Sequence, residues 1–116
     1  MINILVTDDE KFSRLLIKEI LEEEFEEKIK ILEAENGHKA LDIIQNENID
    51  VLIIDSKLPD ILGENVCKIL REENKKIKIF LITGIKHDNN ILELVDFYMQ
   101  KPFNDEALID AIKTIF

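Results

Sequence analysis

Val51-Leu52-Ile53-Ile54-Asp55 is an unbroken apolar run that ends on a carboxylate. Branched aliphatic residues with no polar alternation suit a strand covered on both faces, the condition of a strand inside a parallel sheet. Similar short runs stand at Ile2 to Val6, Ile29 to Leu32, Ile77 to Ile82 and Phe97 to Met99. The segments between them carry helical spacing instead. Phe12, Leu15, Leu16 and Ile20 mark the first, and Ala40, Leu41 and Ile44 the second. Leu62, Val66, Ile69 and Leu70 mark the third, and Leu108, Ala111, Ile112 and Ile115 the last. From His87 to Asp96 only Ile91, Leu94 and Val95 form an apolar face, which predicts a short helix. Asn36 and Asn104 are placed to cap the helices that follow them, and Asp105 and Glu106 complement the dipole of the last one.

Strand and helix alternate five times, with connections too long for hairpins. The fold expected is therefore α/β: a doubly wound sheet of five parallel strands with about five helices. Periodicity alone does not set the strand order. A chain of 116 residues, 46% hydrophobic, matches a single domain over residues 1–116, and no linker-like or repeated segment divides it. Lys and Arg number 15 against 25 Asp and Glu, and the net charge of −10 argues against nucleic acid or anionic membrane as a direct partner. The single cysteine, Cys67, supplies neither a disulfide nor a thiolate cluster. No run approaches the about 18 apolar residues of a membrane span, and the N-terminus lacks a signal-peptide pattern, so a reducing cytoplasm is expected.

In such sheets ligands bind beyond the carboxyl ends of the strands, so the residues following each run carry the functional information. Thr7-Asp8-Asp9-Glu10 follows the first run, Asp55 the third, Thr83-Gly84 the fourth and Lys101-Pro102 the fifth. An Asp pair after one strand is ordinary turn chemistry. Complementary groups after four strands of five are not needed for folding. Carboxylates gathered at one edge repel one another, and a divalent cation offsets that repulsion. An oxygen-only donor set fits Mg²⁺ better than zinc. A hydroxyl at Thr83 and an ammonium at Lys101 are what a phosphoryl oxygen would meet beside such an ion.

The ordered set Ile4-Leu5-Val6-Thr7-Asp8-Asp9-Glu10, Glu35-Asn36-Gly37 with Ala40-Leu41, Val51 to Asp55 with Pro59 and Gly63, Thr83-Gly84, and Tyr98 with Lys101-Pro102-Phe103 resembles the receiver domain of bacterial response regulators along essentially the whole chain. The resemblance implies the strand order 2-1-3-4-5. It implies that Asp55 accepts a phosphoryl group from a histidine kinase or histidine phosphotransfer protein, with Mg²⁺ held by Asp8, Asp9, Asp55 and the carbonyl of Lys57. Thr83 and Lys101 would bind the phosphoryl group, Tyr98 would be the switch aromatic, and Lys101-Pro102 would be cis. Such a domain is a phosphoacceptor rather than an enzyme acting on a separate substrate, with only slow autodephosphorylation. It signals to an effector protein or to an attached output domain. A receiver fold kept as a phosphorylation-independent interaction module is the alternative, against which the full acidic, Thr and Lys set argues. A flavin-binding protein of similar fold is disfavoured because Asp8-Asp9-Glu10 would repel its phosphate. A phosphatase with an Asp nucleophile is disfavoured because no cap domain fits the length.

Two departures from the family pattern stand out. Leu58 occupies a position where many relatives have Met, a volume-conserving change. Lys101 follows Thr83 by only 18 positions, about four fewer than usual and so about one helical turn short. The fourth helix is therefore expected to be shortened and the chain to be a monomer. Lys57 sits where family members vary and could screen the phosphoryl group or meet an attacking water. Cys67, Phe12, Phe25 and Phe80 are expected in the core, His38 and His87 at the surface, and the acidic run from Glu22 to Glu27 on a solvated helix end. An end at Phe116, in or just after the last helix, fits a free-standing receiver and equally a piece of a longer regulator.

Overall fold

The computed structural model describes residues 1–84 and 89–116, with the side chain of residue 89 excepted; His87 lies outside these. In chain order the elements are β1 (Ile2–Thr7), α1 (Lys11–Phe25), a 3₁₀ turn (Glu26–Lys28), β2 (Ile29–Ala34) and α2 (Gly37–Asn46). They continue with β3 (Val51–Asp55), α3 (Gly63–Glu72), β4 (Lys78–Thr83), α4 (Asn89–Leu92), β5 (Phe97–Gln100) and α5 (Asp105–Lys113). The five strands form one parallel sheet in the order β2-β1-β3-β4-β5, as the resemblance implies. β3 is flanked on both sides, which explains why its run is unbroken: Val51, Leu52, Ile53 and Ile54 are all buried.

The strands divide the core into two layers because successive side chains leave opposite faces. Ile4, Val6, Val51, Ile53, Phe80 and Ile82 pack with Ile17, Leu21, Phe25, Leu108 and Ile112 of α1 and α5. Leu5, Leu52, Ile54, Ile79 and Leu81 pack with Ala40, Ile44, Val66, Cys67 and Leu70 of α2 and α3. Cys67 is fully buried as expected, and burial pushes its thiol pKa up to about 12, so it remains an inert thiol. Asn36 and Asn104 each accept a hydrogen bond from the backbone N–H three residues on, capping α2 and α5. The glutamates Glu22 to Glu24, Glu26 and Glu27 are exposed, as expected of a solvated helix end.

α1 turns differently from the expectation. Of the expected stripe Ile20 is buried, but Phe12 is 76% exposed, Leu15 40% and Leu16 44%, and the buried side is completed by Ile17, Leu21 and Phe25. At about 100° per residue these two sets lie on nearly opposite sides of the helix. α1 thus carries two apolar stripes, and the longer one wins the core because it lies over the sheet. Leu62 is likewise corrected: it is the extended N-cap of α3, 49% exposed, and stands outside the helical stripe of Val66 and Leu70.

The short fourth unit is tied down by one arginine. Arg71, at the end of α3, donates to the carbonyls of Leu94, Lys75 and Ile77 and to Asp96. Asp96 in turn accepts from the backbone N–H of Ile79 at the start of β4. α4 occupies a single turn among the described residues, and β5 begins four residues after Leu92's neighbour Glu93.

Candidate functional site

The carboxyl ends of β1, β3 and β4 bring Asp8, Asp55 and Thr83 to one edge of the sheet, and the turn after β5 adds Lys101. The Lys101–Pro102 peptide is cis. Lys101 Nζ lies 2.8 Å from Asp55 Oδ2 and 3.5 Å from Asp8 Oδ2, so one ammonium bridges two carboxylates. Asp55 Oδ1 accepts the N–H of Lys57 at 3.1 Å, and Asp8 Oδ1 that of Glu10 at 2.9 Å. Asp8 is only 3% exposed.

The electrostatics follow from that burial. Desolvation raises the pKa of Asp8 above its ordinary value, and the Glu10 N–H and Lys101 offset this only in part. Desolvation pushes Lys101 the other way, but hydrogen bonds and charges from Asp55 and Asp8 more than reverse it, and its pKa stands above the ordinary value. The Lys101 ammonium thus sits between two carboxylates that favour its charged form.

A hollow of about 370 Å³ opens over this edge, bordered by Asp9, Glu10, Asp55, Lys57, Thr83, Gly84 and Lys101. Five of the residues singled out from sequence thus face one space. Asp8 reaches it through Lys101. Tyr98, half-buried on β5 beside Leu81, packs at the edge of the second core layer. Among the described residues no three Asp, Glu, His or Cys side chains stand ready-made around one point. The donors at this edge are nevertheless oxygens alone, and the desolvated Asp8 and its neighbour Asp55 repel each other. That set suits a hard divalent cation such as Mg²⁺, which keeps several waters and needs few protein ligands.

A sequence profile of the response regulator receiver domain matches residues 4–113. This chain belongs to that family. The receiver domain is 32% identical to the chemotaxis protein CheY of Halobacterium salinarum, over 97% of this chain and 94% of that one. It is 33% identical to the transcriptional regulatory protein CpxR of Escherichia coli over 99% of this chain, which spans about half (49%) of that relative's length. Among solved structures, the response regulator TrrA of Thermotoga maritima, in complex with Mg²⁺ and BeF, superposes with a TM-score of 0.89. The two share 36% identity over the whole of both chains. No described helix is long and apolar enough to cross a membrane.

Three side chains at or near the site carry no spacing signal and were not anticipated. Ser56, directly after Asp55, lies 2.5 Å by its Oγ from Thr83 Oγ1, and both residues are buried. Arg14 of α1 donates to the Asp8 carbonyl and to Glu33, fixing the acidic loop against β2. Asp60 accepts N–H groups from Gly37, His38 and Ile61 and pairs with the exposed ring of His38. Burial raises the Asp60 pKa, but those donors outweigh it and hold the carboxyl well below the usual range. A lone Asp or Arg has many uses, and only the fold shows which backbone groups lie within its reach.

Proposed function

We propose that this receiver domain takes a phosphoryl group on Asp55 from the phosphohistidine of a histidine kinase or histidine phosphotransfer protein. The observation that carries the proposal is the bridge of Lys101 between Asp55 and the buried Asp8 at the rim of a hollow of about 370 Å³, which has room for a phosphoryl group. A carboxylate oxygen of Asp55 attacks phosphorus in line, the O–P bond forms as the P–N bond breaks, and the electron pair leaves with the histidine nitrogen. Lys101 follows the developing negative charge, and Thr83 turns its hydroxyl onto a phosphoryl oxygen. Asp8, Asp9, Asp55 and the Lys57 carbonyl are the groups that would hold Mg²⁺. When bound, the ion supplies charge neutralisation between the carboxylates and the transferring group.

The acyl phosphate adds about −1.5 to −2 charges at Asp55, and the response of Thr83 and Tyr98 shifts the population of a surface read by an effector or an attached output domain. The exposed stripe of Phe12, Leu15 and Leu16 on α1 gives the phosphodonor protein an apolar surface close to the site. The domain works in the cytoplasm as one unit over residues 1–116 and remains a monomer, since the span of only 18 positions from Thr83 to Lys101 leaves little surface beside Tyr98 for a partner copy. The test is transfer from a phosphorylated histidine kinase core with labelled phosphate. Label should move to this chain in millimolar Mg²⁺ and stay on the kinase in excess chelator. Equal transfer in both conditions would contradict the Mg²⁺ requirement, and no transfer from a panel of kinases or from a small acyl phosphate would contradict the acceptor role.

A further inference from the structure

Along β3 the side chains alternate between the two core layers, Ile53 joining the α1/α5 layer and Ile54 the α2/α3 layer. Asp55 continues on the side of Ile53, and Ser56 on the side of Ile54. β4 repeats the pattern in register: Ile82, opposite Asp55, packs with α1 and α5, and Leu81 packs with α2 and α3. Thr83 follows Leu81. Its hydroxyl meets Ser56 Oγ at 2.5 Å, and strand alternation assigns Thr83 to the face opposite that of Asp55. Thr83 nevertheless borders the hollow that Asp55 also borders. Both hydroxyl residues are sealed from water, at 2% and 1% exposure, so solvent does not compete for the pair.

We infer that Ser56 is a positioning residue that latches Thr83 in the unphosphorylated orientation and so sets how readily the switch closes. The inference rests on the reading of Asp55 as acceptor and of Thr83 as phosphoryl ligand. For Thr83 to reach a phosphoryl oxygen on Asp55, its hydroxyl must turn from the face that alternation assigns to Ser56 toward that of Asp55, which breaks the Ser56 contact. A buried neutral hydrogen bond biases such an equilibrium by a factor of about 2–10. Ser56 touches no reacting atom: it acts on the phosphoryl group only through Thr83.

The test uses beryllofluoride with Mg²⁺ as the phosphoryl probe, titrated against the intact chain by NMR. Ser56→Ala should bind it about 2–10-fold more tightly than wild type, and Ser56→Thr, which keeps the hydroxyl, should return to the wild-type affinity. In a Thr83→Ala background, Ser56→Ala should change nothing, whereas a merely structural effect of Ser56 would persist there. Three-bond couplings of Thr83 without the probe should report one χ1 rotamer in wild type and averaging in Ser56→Ala. Unchanged or weaker probe binding in Ser56→Ala, or an unaltered Thr83 rotamer, would overturn the latch while leaving the acceptor reading intact. Failure of the wild type itself to bind beryllofluoride would overturn the acceptor reading and the latch with it.

Discussion

Gly63→Ala should damage the fold at the acceptor strand. A Cβ built on Gly63 would sit 2.3 Å from the Asp55 carbonyl oxygen, 2.8 Å from Ser56 Cα and 3.0 Å from the Asp55 carbonyl carbon. All three are backbone atoms, so no side chain can swing aside. Gly63 has no left-handed backbone to explain it, and its use is close approach: the first residue of α3 rests directly on the end of β3. Relief of the clash needs a separation of about 1 Å, which also stretches the bond from Gly63 N–H to the Ser56 carbonyl, now 2.9 Å. Overpacking of this kind costs about 1–3 kcal/mol, and the weakened hydrogen bond adds about 1 kcal/mol. At about 4 °C per kcal/mol for a chain of this size, Tm should fall by about 8–16 °C. Differential scanning calorimetry with parallel urea melts is the assay. Gly84→Ala is the control, because a Cβ there meets no described atom within 4 Å and should alter stability by less than about 0.5 kcal/mol. A Gly63→Ala protein melting within about 2 °C of wild type would refute the close-approach argument.

Other consequences are as direct. Asp60→Ala should cost about 1–2 kcal/mol at neutral pH, since its carboxylate satisfies the N-terminal N–H groups of α2. Because the folded pKa of Asp60 is depressed, that contribution is present above the unfolded value of 3.8 and is lost as pH falls further. Urea melts of wild type and variant should therefore differ by a constant amount down to about pH 3.8 and converge below it. Asp96→Ala should cost about 1–3 kcal/mol by leaving Arg71 and the Ile79 N–H without their shared partner, read as a shift in urea midpoint at unchanged m-value. Millimolar Mg²⁺ should raise the Tm of wild type, and Asp9→Asn should reduce that rise, as a ligand that binds only the folded site requires.

The architecture was readable because parallel strands buried on both faces leave unbroken aliphatic runs, as Val51 to Ile54 do, and because Asn36 and Asn104 mark helix starts by their chemistry. The strand ends were readable for a related reason: four of them carry polar groups that the core does not need. The face of α1 was misread in part: Ile20 is buried as expected, but Phe12, Leu15 and Leu16 satisfy helical spacing as well as Ile17, Leu21 and Phe25 do, and spacing does not say which stripe meets the sheet. The Ser56–Thr83 contact joins residues 27 positions apart, and the Arg71 and Asp60 clamps use backbone carbonyl and N–H groups as partners. Neither kind of contact leaves a periodic trace in a single sequence.

Intact-mass spectrometry after incubation with acetyl phosphate and Mg²⁺ tests most directly whether Asp55 carries the phosphoryl group. Wild type should gain one phosphoryl group, located at Asp55 after reductive trapping of the acyl phosphate and peptide mapping. Asp55→Asn, nearly isosteric and relieved of one charge beside Asp8, should fold and gain none. Undiminished incorporation in Asp55→Asn, or a wild type that folds and binds Mg²⁺ yet stays unmodified, would contradict the account.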